Sequence, residues 1–343
     1  MRPSVKQGID PFGERSARPH HRSLQLLGAR FRFESNSVHL LRLVDQAFAG
    51  LPRHRFSGRS PRLLVRLQLT PRRRRPSAAP PPPLNTYAGP GFLCGAIDES
   101  NLAVISPAQG SALVVISRDM LRHAYHLRYE LIEFAVYVLA ARTLRLVPLH
   151  AAAVGVRGRG LLLMGDSGAG KSTIALHCLL QGLELLSEDA VFAAPDGRAA
   201  TGIASFLHLQ RRGLRFLRGH AGARRIRSSP IIRRRSGAEK YEVDLRRSGY
   251  RLAAAPLSIQ ALVFLSKRRA ADDRVLVPLA ARLRAARLTA LQPYAAAQPG
   301  WRRFKDSVAA VRTFELRRGS HPCLAVAALR SLLDPPKRSA PRA

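Results

Sequence analysis

With 343 residues and 46% apolar content, the chain is long enough for one large globular core or two smaller ones. Its 57 Lys plus Arg against 22 Asp plus Glu give a formal charge of +35, yet only six of those cations are Lys and aromatic residues are 6%. That balance disfavours a nucleic-acid surface, which mixes both cations with interleaved rings. Cys94, Cys178 and Cys323 lie far apart without metal-ligand spacing and suit a reduced compartment.

Residues 1–22 are polar and basic without period and read as a disordered tail. This start lacks the apolar segment of a secretory signal, and Asp10 and Glu14 argue against a transit peptide. No apolar run approaches the roughly 18 residues of a membrane span. The best, LIEFAVYVLAA, is broken by Glu133, so the cytoplasm is the expected location. From Ser23 to Leu69, LQLLGARFRF, VHLLRLVDQAF and RLLVRLQL read as strand, helix, strand. PRRRRPSAAPPPPLN, residues 71–85, is a solvated loop. GFLCGAID and ALVVIS then read as short strands, which makes 23–118 a small α+β region.

Apolar repeats at helical spacing predict the longest helix over 119–142, opening a larger domain that runs to 335 before a tail, 336–343. LHAAAVGV, RGRG and LLLMG predict a β-hairpin around a four-residue turn centred near Gly158–Arg159, which sets His150 opposite Ser167. Lys171–Leu180 reads as a helix stopped by Gly182. LELLS, 183–187, reads as a buried strand ending on Glu188 and Asp189. LSIQALVFLSK and RVLVPL are further strands, and LAVAALRSLL, 324–333, a closing amphipathic helix. There is no internal repeat, and the mixture is α/β.

GDSGAGKS, 165–172, satisfies G-x-x-x-x-G-K-[ST] between a strand and a helix. Gly165, Gly168 and Gly170 let the loop, with Asp166, Ser167 and Ala169, turn backbone N–H groups onto phosphate oxygens. The helix N-terminus, with Thr173 in its first turn, adds partial positive charge. In such a loop Lys171 reaches the β- and γ-phosphates of ATP or GTP and the Ser172 hydroxyl ligates Mg²⁺. His150, set beside the loop, is placed to contact the γ-phosphate or orient a proton acceptor; a purely structural hydrogen bond is the alternative. A carboxylate where Glu188 and Asp189 stand commonly meets Mg²⁺ or its waters. Neighbours on a strand point to opposite faces, so one of them faces the phosphates while the other orients His150 or contacts the loop.

Residues 148–191, containing LHAAAVGVRGRGLLLMGDSGAGKSTIALHCLLQGLELLSEDAV, resemble the catalytic domain of the bacterial HPr kinase/phosphorylase family. That pattern runs histidine, hairpin, G-[DE]-S-G-x-G-K-S, helix, Gly, strand, Asp-Asp, with His150 15 residues before Gly165 and the carboxylates 17 and 18 after Lys171. The resemblance implies a phosphoenolpyruvate-carboxykinase-like P-loop fold and phosphoryl transfer from ATP to a serine hydroxyl. It implies Asp189 as proton acceptor, His150 as the active-site histidine beside it, Lys171 on the β/γ-phosphates and Ser172 on Mg²⁺. Glu188 departs from the family's Asp. The family's L-E-[IV]-R-G-[LM]-G signature, whose Glu binds metal, is missing: near Leu214 stands only LHLQRRGLRFLRG. The nearest analogue is EKYEVDLRR, 239–247, where Glu242 or Asp244 would supply the carboxylate and Arg246 a phosphate-facing cation. On these departures the chain resembles HPr-kinase-related proteins, such as the kinases of lasso-peptide precursors, more than the bifunctional enzyme. Its expected partner is then a small protein or precursor peptide with a target serine, and self-association stays open.

Residues 211–235, RRGLRFLRGHAGARRIRSSPIIRRR, hold ten Arg and no acidic residue. They read either as a solvated loop enriched by base composition or as a grip on an acidic acceptor. Three other functions compete with a serine kinase: a nucleotide-gated binding module, a nucleic-acid-associated NTPase favoured by charge alone, and a small-molecule kinase or carboxykinase.

Overall fold

The computed structural model describes residues 18–56, 60–71, 80–217, 219–220, 222–247 and 249–334. The expected tails lie largely outside these residues, as does the arginine run of the 71–85 loop. Strand begins at His20, inside the stretch read as tail.

Along ARFRFES the burial alternates: Ala29, Phe31, Phe33 and Ser35 are buried while Arg30 and Arg32 are exposed. This is the period-two signature of a strand with one face in a core. The segment LQLLGARFRF therefore holds two strands, β1 (His20–Leu26) and β2 (Ala29–Ser35), not one. Between them Leu27 and Gly28 take φ of 52° and 90°, a left-handed pair that closes a tight hairpin. Helix α1 (Val38–Phe48) follows, then β3 (Arg62–Thr70), β4 (Asn85–Gly89), β5 (Phe92–Asp98), β6 (Asn101–Ser106) and β7 (Ser111–Ser117). They form a seven-stranded sheet in the order β1-β2-β3-β7-β6-β5-β4. Phe31, Phe33 and Phe48 stack at ring separations of 5.9 and 6.2 Å and anchor this core.

The expected long helix is helical throughout but not one α-helix. A 3₁₀ turn (Arg118–His123), one α-turn (Ala124–His126) and a π segment (Leu127–Ile132) precede α2 (Glu133–Thr143). Apolar spacing marks the buried stripe and is blind to local winding. The chain divides into two compact units, one of residues up to 24, 30–49 and 61–139, the other of 25–29, 50–60 and 140 onward. The division differs from the expected border at 118/119, because the helical segment packs on the first sheet: a Cβ on Gly95 of β5 would lie 2.4 Å from the Phe134 ring.

The second unit is built on a nine-stranded mixed sheet. Its strands are β8 (Val147–His150), β9 (Ala152–Val156), β10 (Arg159–Met164), β11 (Glu184–Ser187), β12 (Ala190–Ala193), β13 (Ala199–Gly202), β17 (Leu257–Arg269), β18 (Leu276–Pro278) and β19 (Arg312–Arg318). A separate three-stranded sheet contains β14 (Phe206–Leu209), β16 (Glu239–Asp244) and the edge strand β15 (Ile231–Arg233). Strand β10 lies parallel to the long β17 and antiparallel to β9.

The hairpin register corrects the expectation. Val156 pairs Arg159 and Ala152 pairs Leu163, so the turn is the two residues Arg157–Gly158. Both have positive φ, 49° and 77°, as a two-residue hairpin turn with the strands' own twist requires. The chain leaves the hairpin at Ala151, and β8 pairs with β12 instead, setting His150 opposite Ala190. His150 is thus not opposite Ser167. The remaining expectations hold: α3 (Lys171–Leu180) ends where Gly182 takes φ 81° and Leu183 N–H returns to Cys178 O at 2.9 Å, and a closing helix spans Pro322–Leu333. No helix among the described residues is long and apolar enough to cross a membrane.

Candidate active site

Strand β10 delivers the loop Gly165–Gly170 to the N-terminus of α3. Gly168 and Gly170 have φ of 76° and 110°, values that side chains with a Cβ rarely adopt. Gly165 and Ala169 are buried, while Asp166, Ser167 and Gly168 are exposed and face solvent at the mouth of the loop. A Cβ on Gly170 would meet nothing within 4 Å, so the backbone cradle is open above it. Lys171 is 7% exposed, and its Nζ donates to Gly165 O at 2.6 Å. Burial lowers the Lys171 pKa, against the opposing pull of Asp189 and Glu188. The ammonium is therefore poorly solvated and stands among carboxylates, a position from which an incoming anion gains more than it would from a surface lysine. Ser172 and Thr173 are half-buried in the first turn.

Glu188 and Asp189 sit in the bend between β11 and β12 and separate as expected of neighbours. Glu188 turns inward, 5% exposed, and accepts a hydrogen bond from the Ser172 hydroxyl. Its other oxygen lies 3.3 Å from His208 Nδ1. On the far side of the imidazole, His208 Nε2 lies 3.6 Å from Glu242 Oε1. Burial alone would raise the Glu188 pKa, but bonds from His208 and Ser172 hold it below its ordinary value. Burial likewise opposes the His208 charge, yet its two glutamate partners raise its pKa. The cluster thus alternates glutamate, histidine and glutamate, buried groups that hold one another in place.

Asp189 turns outward and is half-exposed, with Oδ1 3.4 Å from His150 Nε2. The connection is local, because Ala151 N–H donates to Asp189 O at 3.0 Å where the two strands diverge. Partial enclosure pushes the His150 pKa down, more than the Asp189 charge raises it. An imidazole beside a carboxylate can relay a proton without repelling a phosphate as a second anion would. The main chain of His150 is held by Gln292: its N–H donates to Gln292 Oε1 at 2.7 Å, and Gln292 Nε2 donates to His150 O at 3.0 Å.

The hard oxygen donors Ser172 Oγ and Glu188 fit Mg²⁺, which takes one or two protein oxygens and keeps its waters. Among the described residues, no three His, Cys, Asp or Glu side chains form a ready cage for a bare ion. Glu242 enters the cluster only behind His208. Asp244 and Arg246 engage each other at 2.8 and 2.9 Å.

No protein-family model matches the chain. Curated relatives do. It is 31% identical over 150 residues to the HPr kinase/phosphorylase of Geobacter sulfurreducens, covering 42% of this chain and 41% of that protein. It is 41% identical over 61 residues to the HPr kinase/phosphorylase of Mycoplasmopsis pulmonis, covering 18% and 20%. The chain is HPr-kinase-like. It spans about two fifths or less of the length of these relatives. Among solved structures, the Hpr(Ser) kinase/phosphatase from Coxiella burnetii aligns at 13% identity over 54% of this chain and 88% of that one, with a TM-score of 0.27. That likeness is too low to define the fold.

Three residues of this HPr-kinase-like site escape a motif-based reading. His208 lies in LHLQ, the stretch where an acidic signature is expected, and its signal is a single polar residue between two buried leucines. Gln292 stands 142 residues from the histidine it holds and carries no signal. Arg212 lies over the phosphate loop, its Nη2 3.1 Å from where a Cβ on Gly168 would sit. Only its place in an arginine run points to it.

Proposed function

We propose that the chain is an ATP-dependent serine kinase that transfers the γ-phosphate to a serine of a small protein or precursor peptide, on a phosphoenolpyruvate-carboxykinase-like P-loop domain. The observation that carries this reading is the gathering of Lys171, the Ser172–Glu188 pair and the His150–Asp189 pair around one loop. In the reaction the serine Oγ forms a bond to the γ-phosphorus as the bond to the bridging oxygen of ADP breaks, and the hydroxyl proton passes to the Asp189 carboxylate. His150 orients that carboxylate and shares its proton. Lys171 and the loop N–H groups hold the phosphates and absorb charge that builds toward the leaving ADP. Ser172 and Glu188 would hold Mg²⁺, which supplies further charge neutralisation on the phosphate oxygens. Glu242 acts on Glu188 through His208. The half-exposure of His150 and Asp189 suits a macromolecular acceptor, whose serine must enter from outside.

Purified protein incubated with labelled ATP, Mg²⁺ and a pool of HPr-type proteins, small proteins and precursor peptides tests the proposal by mass spectrometry. Phosphoserine on an acceptor, lost in both Lys171→Ala and Asp189→Asn, is the expected result. Nucleotide binding with no transfer to any acceptor, including the products of neighbouring genes, would instead make the chain a nucleotide-gated binding module.

A further inference from the structure

In its described residues the arginine-rich segment is folded, and its ends reach the site. It contains a 3₁₀ turn (Arg211–Leu217), a short helix (Gly222–Arg227) and β15, which pairs with β16. Leu214, Leu217, Ala223 and Ile226 are buried in the same core as the α3 residues Ala175, Leu176 and Leu179. Arg211, Arg212, Arg215, Arg224 and Arg227 are exposed. The reading of a solvated loop is therefore corrected for its described residues: their apolar side chains fix where the arginines stand.

Both ends of the segment touch the machinery. At its start, Arg212 lies over Gly168, and a Cβ on Gly213 would lie 3.5 Å from Thr173 Oγ1. At its end, Arg234 Nη2 lies 3.2 Å from His208 Nδ1. Between them, Arg211, Arg215, Arg224 and Arg227 have no carboxylate partner among the described residues. Arg215 is stacked at 4.5 Å on the Phe216 ring, which holds its guanidinium in a set place. The segment supplies no exposed large aromatic, since those of the described chain are Tyr87, Phe92 and Tyr294. A single-stranded nucleic acid would find phosphate partners here but no stacking platform.

We propose that this surface docks an acidic stretch of the acceptor beside its target serine. The word acceptor rests on the kinase reading; the docking surface does not. Unpaired arginines in fixed positions match carboxylates by charge and by their planar fork. Carried on a segment whose ends reach Gly168 and His208, they raise the local concentration of acidic partners and select against basic ones.

Binding is read by fluorescence anisotropy on the full chain, with four probes of equal length: a serine peptide flanked by Asp and Glu, the same peptide with Asn and Gln, the same peptide with Lys, and oligo-dT. The acidic peptide is expected to bind about tenfold tighter than the neutral one, the product of four exposed charge pairs. Combined Arg211→Gln, Arg215→Gln, Arg224→Gln and Arg227→Gln should abolish that preference. Arg282→Gln, Arg302→Gln and Arg303→Gln, outside the segment, should preserve it, and binding of a fluorescent ATP analogue should stay unchanged in both sets. Arg224→Glu with Arg227→Glu, a smaller change, should reverse the preference toward a Lys-flanked peptide. Equal binding of acidic and neutral peptides, equal loss in both arginine sets, or tighter binding of oligo-dT than of the acidic peptide would each overturn the proposal. Because binding is read without transfer, an acidic preference in a chain that phosphorylates nothing would sink the kinase and leave the docking surface standing. Equal phosphorylation of acidic and neutral peptides would do the reverse.

Discussion

Replacing His177 with Leu should flatten the acid side of the stability profile. His177 lies on α3, 3% exposed, facing the Phe216 and His321 rings at centroid distances of 6.3 and 5.3 Å. Its Nδ1 is 4.0 Å from Cys323 Sγ, and its Nε2 is buried without a hydrogen-bond partner. Burial, and then the neighbouring His321 and His220, lower its pKa from 6.5 to about 4. A folded-state pKa held below the unfolded one stabilises the fold at pH values above 6.5, and that stabilisation is lost as pH falls toward 4. At about 1.4 kcal/mol per pH unit the gap corresponds to about 3 kcal/mol. Trp301 is the chain's only tryptophan, is buried and belongs to the unit that carries His177, so its fluorescence during urea unfolding is the assay. Between neutrality and pH 4, the native chain should lose about 3 kcal/mol more than the His177→Leu variant. Parallel losses in the two proteins would mean that His177 does not set the acid limb.

Two further perturbations bear on the site. His208→Leu removes the imidazole between Glu188 and Glu242 and should cost about 3–5 kcal/mol in the same unfolding assay, because each buried acid loses its contact with that ring. In the native chain this cluster contributes most between two limits. The lowered Glu188 pKa means its share is lost as pH falls, and the raised His208 pKa means its share is lost as pH rises. Gln292→Leu should cost about 1–3 kcal/mol for each main-chain group of His150 it strands. It should also slow transfer while leaving ATP-analogue affinity unchanged.

The phosphate loop, its helix and the carboxylate pair were legible because each depends on residues close in sequence: glycines for backbone turns, a lysine and serine at the helix start, two acids at a strand end. The same locality explains the misplaced register. RGRG reads equally well as a four-residue turn, and the pairing of Val156 with Arg159 and the positive φ of Arg157 and Gly158 show that the turn is two residues long. The break at Ala151 was invisible, since LHAAAVGV is uniformly apolar around one histidine and nothing local tells β8 to pair with β12. His208 and Gln292 meet the site through pairings between distant strands and helices, which no spacing rule encodes. The arginine-rich segment was ambiguous for another reason. Composition counted its charges, but only the burial of Leu214, Leu217 and Ile226 shows that it has an inside.

Asp189 is the proposed proton acceptor for a serine hydroxyl, beside the loop proposed to hold ATP. Single-turnover transfer from labelled ATP should therefore be compared between the native chain and Asp189→Asn, with nucleotide binding measured on the same samples. Unchanged nucleotide affinity with transfer slowed by at least about 10²-fold is the predicted result. Transfer at the native rate in the variant would rule Asp189 out as the proton acceptor.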